Sequence, residues 1–321
     1  MKQTIFTLLL LSTIGFVSCR KGGSEPNIVQ YDETQIQNYI KANGLTSMQK
    51  DLVGGDTSGI YYQIMDGKNG IPNPADSLNY SDEISFVYTL KSFDGKYSST
   101  DTIVNQYLGY VGHITSANLP YGLEVAIIND LKYSGRSMRI LIPSYLAYGI
   151  TGFGSGSINV AGSHIAGNQC LDYYVHVINK QPDTVAQAKY DDLVINSYLA
   201  ANKLTGYLND GGTYYKILTQ GSGTDPITNN TTAQVEYNER LLNGTVLGGV
   251  NPTADPGVDS TSFEIPSLIP GVTRMLEKHA VKGTVISMII PSGQAYGLLS
   301  PTGTPPNACL RYEFTIVDVS P

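Results

Sequence analysis

This sequence predicts an α+β protein made of two copies of one unit, each a sheet wrapped around a short helix and preceded by an extra helix. Three observations carry the prediction. Segments recur in the same order in both halves of the 321 residues. Strands of alternating polarity are joined by Asp-Gly or Asn-Gly, the strongest short-range hairpin signal. Each set of strands follows a stretch with apolar residues at helical spacing. An ordered repeat of about 140 residues is a duplicated domain, since solenoid repeats run to about 20–45 residues.

The elements follow in chain order. MKQTIFTLLLLSTIGFVSC opens with Lys2 and an apolar run from Ile5 to Val17. That run is too short for an ordinary membrane helix and has the form of a signal-peptide core. Phe16-Val17-Ser18-Cys19 resembles a bacterial lipobox, which implies a signal peptide over 1–19 and a lipid on Cys19; the alternative is a plain secretory signal with a chance cysteine. Residues 20–30 read as a polar tether. YDETQIQNYIKANGLT (31–46) and YDDLVINSYLAANKLT (190–205) predict the extra helices, with Ile36, Tyr39 and Ile40, and then Val194, Ile195, Tyr198 and Leu199, on one face. Asp32, Glu33, Asp191 and Asp192 suit the first turn of a helix, where the dipole favours acids.

GIYYQI (59–64) pairs with GTYYKI (212–217), and FVYTLKSFDGK (86–96) with VEYNERLLNGT (235–245), as strands with hairpin turns at Asp94-Gly95 and Asn243-Gly244. LPYGLEVAIINDL (119–131) and LIPGVTRMLEKH (268–279) predict the short helices. An apolar strand then ends in LIPSYLAYG (141–149) or IIPSGQAYG (289–297), and a Gly-rich loop leads to CLDYYVHVI (170–178) or CLRYEFTIV (309–317). In the last strand Leu310, Tyr312, Phe314 and Ile316 alternate with Arg311, Glu313 and Thr315, so one face is buried. The units are placed at 31–179 and 190–321, with 180–189 as a polar linker.

Composition narrows the function. Twenty Lys+Arg stand against 27 Asp+Glu, net −7, with no basic stripe, which excludes nucleic acid as a partner. Tyr 23, Phe 7 and Trp 0 suit a β-rich exported protein with half-buried sheets. Cys170 and Cys309 hold equivalent places in the repeat and are read as equivalent buried sites; a disulfide between them is the alternative in an oxidising compartment. His113, His164, His176 and His279 lack ligand spacing, so no metal and no cofactor is expected; His176 is placed on the solvated strand face. Ser144 and Ser292 lack a Gly-x-Ser-x-Gly elbow, which argues against a hydrolase. GFGSGS (152–157) lacks the lysine of a phosphate loop and reads as a flap.

Taken in order, these motifs resemble the FK506-binding-protein (FKBP) type of peptidyl-prolyl cis-trans isomerase. Copy two has IIPSGQAYG and then TPPNACLRYEF (304–314); copy one has LIPSYLAYG and then IAGNQCLDYYV (165–175) after a longer insertion. The resemblance covers about 57–180 and 211–319, leaving the extra helices outside. It implies two FKBP-like antiparallel sheets, each wrapped on a short helix, that act on proline-containing polypeptide clients.

The chemistry requires no nucleophile. The X–Pro barrier of roughly 18–20 kcal/mol comes from amide resonance. An apolar pocket that strips water weakens that resonance, and a donor to the neighbouring carbonyl holds the twisted geometry. By resemblance the donors are Tyr148 and Tyr296. The pocket positions are Tyr88, Tyr97, Leu119, Pro120, Leu123 and Tyr173 in copy one, and Tyr237, Leu247, Leu268, Ile269, Val272 and Tyr312 in copy two. Tyr173 and Tyr312 read equally as core tyrosines of an alternating strand. The family's Phe-Asp pair stands here as Tyr97-Ser98 and Leu247-Gly248, so its acid is missing from both copies. The pocket floor, often Trp, is Leu123 or Val272. Two functions follow: an envelope foldase on X–Pro bonds, or a binding module that kept the fold and lost catalysis. The lipobox implies a lipid-anchored place in the cell envelope, read as the outer membrane facing the periplasm, with the leaflet left open. Asp101-Thr102-Ile103 and Asp183-Thr184-Val185 resemble O-glycosylation sites of exported Bacteroidetes proteins.

Overall fold

Asn27 starts the first helix. Its side chain accepts a hydrogen bond from the Gln30 N–H at 3.0 Å, capping α1 (Ile28–Ala42). The computed structural model describes residues 27–55, 58–65, 74–157, 160, 162–181, 184–249 and 260–321; the expected signal peptide and Cys19 lie outside the described residues. α1 stops before Gly44, which takes φ +64°. β1 (Gln49–Lys50), β2 (Tyr61–Ile64), β3 (Glu83–Ser92), β4 (Ser98–Ser99) and β5 (Gln106–Tyr110) lead to the short helix α2 (Tyr121–Ala126), and β6 (Ser137–Ile142) and β7 (Leu171–Lys180) complete the unit.

The second unit repeats this order. It runs α3 (Thr184–Ala201), β8 (Leu208–Asp210), β9 (Thr213–Thr219), β10 (Thr232–Leu241), β11 (Val246–Gly249), β12 (Thr261–Glu264), α4 (Pro270–His279), β13 (Val285–Ile290) and β14 (Leu310–Ser320). The sheets have one topology: β1-β2-β6-β7-β3-β4 with β5 also on β3, and β8-β9-β13-β14-β10-β11 with β12 also on β10. Every pairing is antiparallel, and a bulge falls at the same place in both, between Ser85 and Phe86 and between Gln234 and Val235. The two hairpin turns form where expected, with Gly95 at φ +71° and Gly244 at φ +92°. The α+β duplication read from the sequence is therefore the observed fold.

Each sheet closes on its short helix. Leu123, Ile127 and Leu131 pack with Phe86, Ile140, Tyr173 and Val175 in unit one; Val272, Met275 and Leu276 pack with Ile286, Met288 and Phe314 in unit two. The approach is close enough to require glycine: a Cβ on Gly122 or on Gly271 would fall 2.4 Å from Cγ2 of Ile142 or Ile290. β-branched side chains cannot swing aside to make room.

The acids of the extra helices need correction. α1 begins ahead of residue 31 and α3 ahead of residue 190, so α3 takes in most of the expected linker and Asp32 and Asp191 lie inside their helices. Both are buried, and each reaches across to the Ile-Pro-Ser turn. Asp32 Oδ2 accepts from Ser144 N at 2.7 Å and Ser144 Oγ at 2.8 Å. Asp191 Oδ2 accepts from Ser292 N at 2.8 Å and Ser292 Oγ at 2.7 Å. Cross-fold bonding to the serine, not the helix dipole, explains these acids. Apolar contacts complete the docking: Ile36 packs with Leu141 and Cys170, and Ile195 with Ile289 and Cys309. Both cysteines are free thiols in equivalent buried sites.

His176 also departs from expectation. Its Nδ1 lies 2.8 Å from Ser137 Oγ, and its ring stacks on Tyr190 of α3 with centroids 5.6 Å apart. The second unit covers this face of β7. Thr102 hydrogen-bonds to Tyr190, and Asn243 Nδ2 donates to Asp101 Oδ2 at 2.6 Å across the same junction.

One buried acid costs stability. Asp130 sits in the wide turn Ile127–Leu131 that extends α2, 7% exposed, with Oδ2 unpartnered. Burial, reinforced by the Asp51 charge, pushes its carboxyl up to about 7. A folded pKa above the unfolded one means the folded state binds the extra proton, so stability falls as pH rises from about 4 to about 7. Asp130→Asn should remove that slope and stabilise the protein at pH 8 by on the order of 2–4 kcal/mol, read from urea unfolding at pH 5 and pH 8.

Candidate functional site

The Ile-Pro-Ser turns set the site. After β6, Pro143 and Ser144 enter one turn of 3₁₀ helix, Ser144–Leu146, and the next residues bring Tyr148 back over the sheet. Gly149 at φ +59° closes the turn, its N–H bonded to the Ser144 carbonyl at 2.9 Å. Ser292–Gln294, Tyr296 and Gly297 (φ +56°) repeat this after β13. The serine that Asp32 or Asp191 holds is thus the first residue of the turn that aims the tyrosine.

In unit one the expected residues converge. Leu119, Leu123 and Tyr173 are buried in one cluster, with Tyr88, Tyr97 and Tyr148 half-buried against it; Pro120 is buried at the start of α2. Tyr148 Oη donates to the Asn118 carbonyl at 3.1 Å and lies 3.5 Å from Tyr173 Oη. Tyr88 and Tyr173 stand edge-tilted with centroids 5.7 Å apart. Burial pushes the Tyr148 phenol up to about 12, so it is a neutral donor at physiological pH. Tyr173, wholly buried, is pushed further the same way.

Unit two assembles the same set. Val272 and Tyr312 are buried, and Tyr237, Leu247, Leu268, Ile269 and Tyr296 line their cluster. Tyr237 stacks on Phe314 at 5.5 Å, and Tyr296 hydrogen-bonds with Tyr312. Burial raises the Tyr296 phenol, with Glu239 and Tyr237 adding to the rise. Each site is an apolar, aromatic wall with a tyrosine hydroxyl at its edge, and an arrangement of that kind can take a proline ring and present one donor to its carbonyl.

Sequence reasoning missed three side chains here. Phe153, inside the Gly-rich flap, stacks on Tyr148 with centroids 4.7 Å apart. Phe263 of β12 meets Tyr237 edge-on at 5.3 Å. Glu239 shares the pocket face of β10. Phe153 could have been found as the one large apolar residue in GFGSGS, and Glu239 by its alternation with Tyr237; Phe263 needed the strand register.

Known proteins are similar to parts of this chain. The FKBP-type peptidyl-prolyl cis-trans isomerase FkpA of Escherichia coli K12 is 32% identical over 110 residues, 34% of this chain and 38% of that protein. Over part of its length the chain is similar in sequence to FKBP-type peptidyl-prolyl cis-trans isomerases. FkpA of Buchnera aphidicola is 27% identical over 237 residues, 64% of this chain and 85% of that one. Outer membrane protein MIP of Legionella longbeachae is 30% identical over 128 residues, 39% of this chain and 52% of that one. The crystal structure of E. coli FkpA aligns at 28% identity and TM-score 0.36 over 42% of this chain and 65% of that one. The match thus spans well under half the length of the first FKBP-type relative. No family model matches the chain. Among the described residues no group of acids, histidines and cysteines could hold a metal ion, and no helix is long and apolar enough to cross a membrane.

Proposed function

We propose that this chain is a cell-envelope prolyl isomerase that speeds folding of exported polypeptides at X–Pro bonds, with Tyr148 and Tyr296 as the donors. The observation that carries the proposal is the doubled convergence of a neutral tyrosine hydroxyl on an apolar aromatic pocket at one topological position. The pocket strips water from the imide and lowers the cost of losing resonance; the hydroxyl holds the twisted carbonyl. Tyr88, Tyr97, Leu119, Pro120, Leu123 and Tyr173 wall the first pocket, and Tyr237, Leu247, Leu268, Ile269, Val272 and Tyr312 the second. Ile150, and Leu298 and Leu299, follow two and three residues past the tyrosines and expose 83%, 47% and 93% of their surface, offering apolar contacts to a client.

The lipobox-like Cys19 anchors the chain by a lipid. The likeness to a protein named for the outer membrane supports that membrane as its place, facing the periplasm.

A second reading, a binding module without turnover, is favoured by one observation: the pocket floors are Leu123 and Val272, smaller than an indole. Refolding separates the two. A substrate protein whose slow phase is X–Pro isomerisation, tens to hundreds of seconds at 25 °C, should lose that phase at catalytic amounts of this chain. A holding protein would instead lower the yield of the phase only in stoichiometric amounts.

A further inference from the structure

The two pockets differ in charge. Leu90 in β3 pairs directly with Tyr173 in β7, and Glu239 in β10 pairs directly with Tyr312 in β14. Directly opposed residues share a sheet face, so position 239 points to the same side as the pocket tyrosine, as position 90 does. Leu90 is buried in the unit-one core at 4% exposure. In unit two the same position carries a carboxylate and is only partly buried. Glu239 also pairs with Gly248 in β11, and the missing side chain there leaves it room. A Cβ on Gly248 would sit 3.4 Å from Glu239 Oε2 and 3.7 Å from Tyr237 Oη, so carboxylate and hydroxyl converge over that glycine. Glu239 also hydrogen-bonds to the Tyr296 and Tyr312 hydroxyls. Among the described residues no Lys or Arg makes an ion pair with it.

We infer that Glu239 makes the second pocket select proline segments with Lys or Arg beside the proline, while the first pocket, with Leu90 in that place, is indifferent to charge. The inference rests on the prolyl-segment reading of the pockets. A half-buried carboxylate next to an apolar wall, with no cation of its own, stabilises an ammonium or guanidinium that arrives with a client. It repels an acidic neighbour at the same site. The two units would then divide a client pool by charge rather than duplicate one specificity.

The test uses the full chain carrying Tyr148→Phe, which removes turnover by the first pocket and leaves its binding as a charge-independent background common to every variant, with fluorescein-labelled tetrapeptides Ala-X-Pro-Phe in which X is Lys, Arg, Leu or Glu. Binding by fluorescence anisotropy and cis-to-trans rates are both measured, so the outcome does not depend on turnover. At low salt the Lys and Arg peptides should bind about fivefold or more tighter than the Glu peptide. Glu239→Gln should erase the difference, and so should Glu239→Leu, which places unit one's own residue there. Half-molar salt should shrink the difference in the unsubstituted pocket. A ranking unchanged by both substitutions overturns the inference, as does failure of every peptide to bind. Binding that is charge-selective and Glu239-dependent without acceleration sustains the inference and defeats the isomerase reading alone.

Discussion

Asp191→Ala is expected to lower the stability of the second unit by roughly 3 kcal/mol and to release α3 from the sheet. Asp191 is 2% exposed, and its Oδ2 accepts both the N–H and the Oγ–H of Ser292. Alanine leaves the Ser292 N–H and Oγ–H and the Gln187 Nε2–H without their acceptor, each costing about 1–3 kcal/mol. Part of that is returned, because the carboxylate is itself poorly solvated: burial raises its pKa against the hydrogen bonds from Ser292, Gln187 and Cys309. Asp191→Asn keeps one acceptor without the charge and should cost less than half as much. Urea unfolding gives the totals. Amide exchange over Thr184–Ala201 separates undocking of the helix from global unfolding. Ser292 begins the turn that aims Tyr296, so undocking should also loosen the second pocket.

The double variant Tyr148→Phe, Tyr296→Phe should lose most X–Pro acceleration, by about tenfold or more in kcat/KM. Phenylalanine keeps the apolar wall and removes only the hydroxyls, so client binding should change little. The single variants should each retain the activity of the other unit. The Tyr148 phenol, pushed to about 12, stays protonated across the working range, and so acceleration by the first unit should not vary between pH 6 and pH 9 on its account.

Much of the fold was legible because its signals are local. Asp94-Gly95 and Asn243-Gly244 fix their hairpins through the left-handed conformations of two glycines, and Pro270 at the first turn of α4 marks its start. The pocket tyrosines were legible because Ala-Tyr-Gly follows Ile-Pro-Ser directly in the chain. What was not legible lies in register and distance. The bond from Asp32 to Ser144 spans 112 residues, so Asp32 looked like an ordinary helix-end acid. Glu239 lies two residues after Tyr237 and so on the same face of β10, but nothing local shows that its carboxylate meets the Tyr296 and Tyr312 hydroxyls from distant parts of the chain. His176 reads as exposed on one sheet taken by itself, and is covered only because Tyr190 from the next unit stacks on it.

The central claim is that these pockets turn over prolyl bonds. The most direct measurement is the cis-to-trans rate of a panel of X–Pro peptides with the purified chain, beside the double tyrosine variant. The account predicts acceleration proportional to protein concentration, most of it gone in the variant. Rates equal to the thermal rate for every peptide, with the unsubstituted chain fully folded, would contradict it.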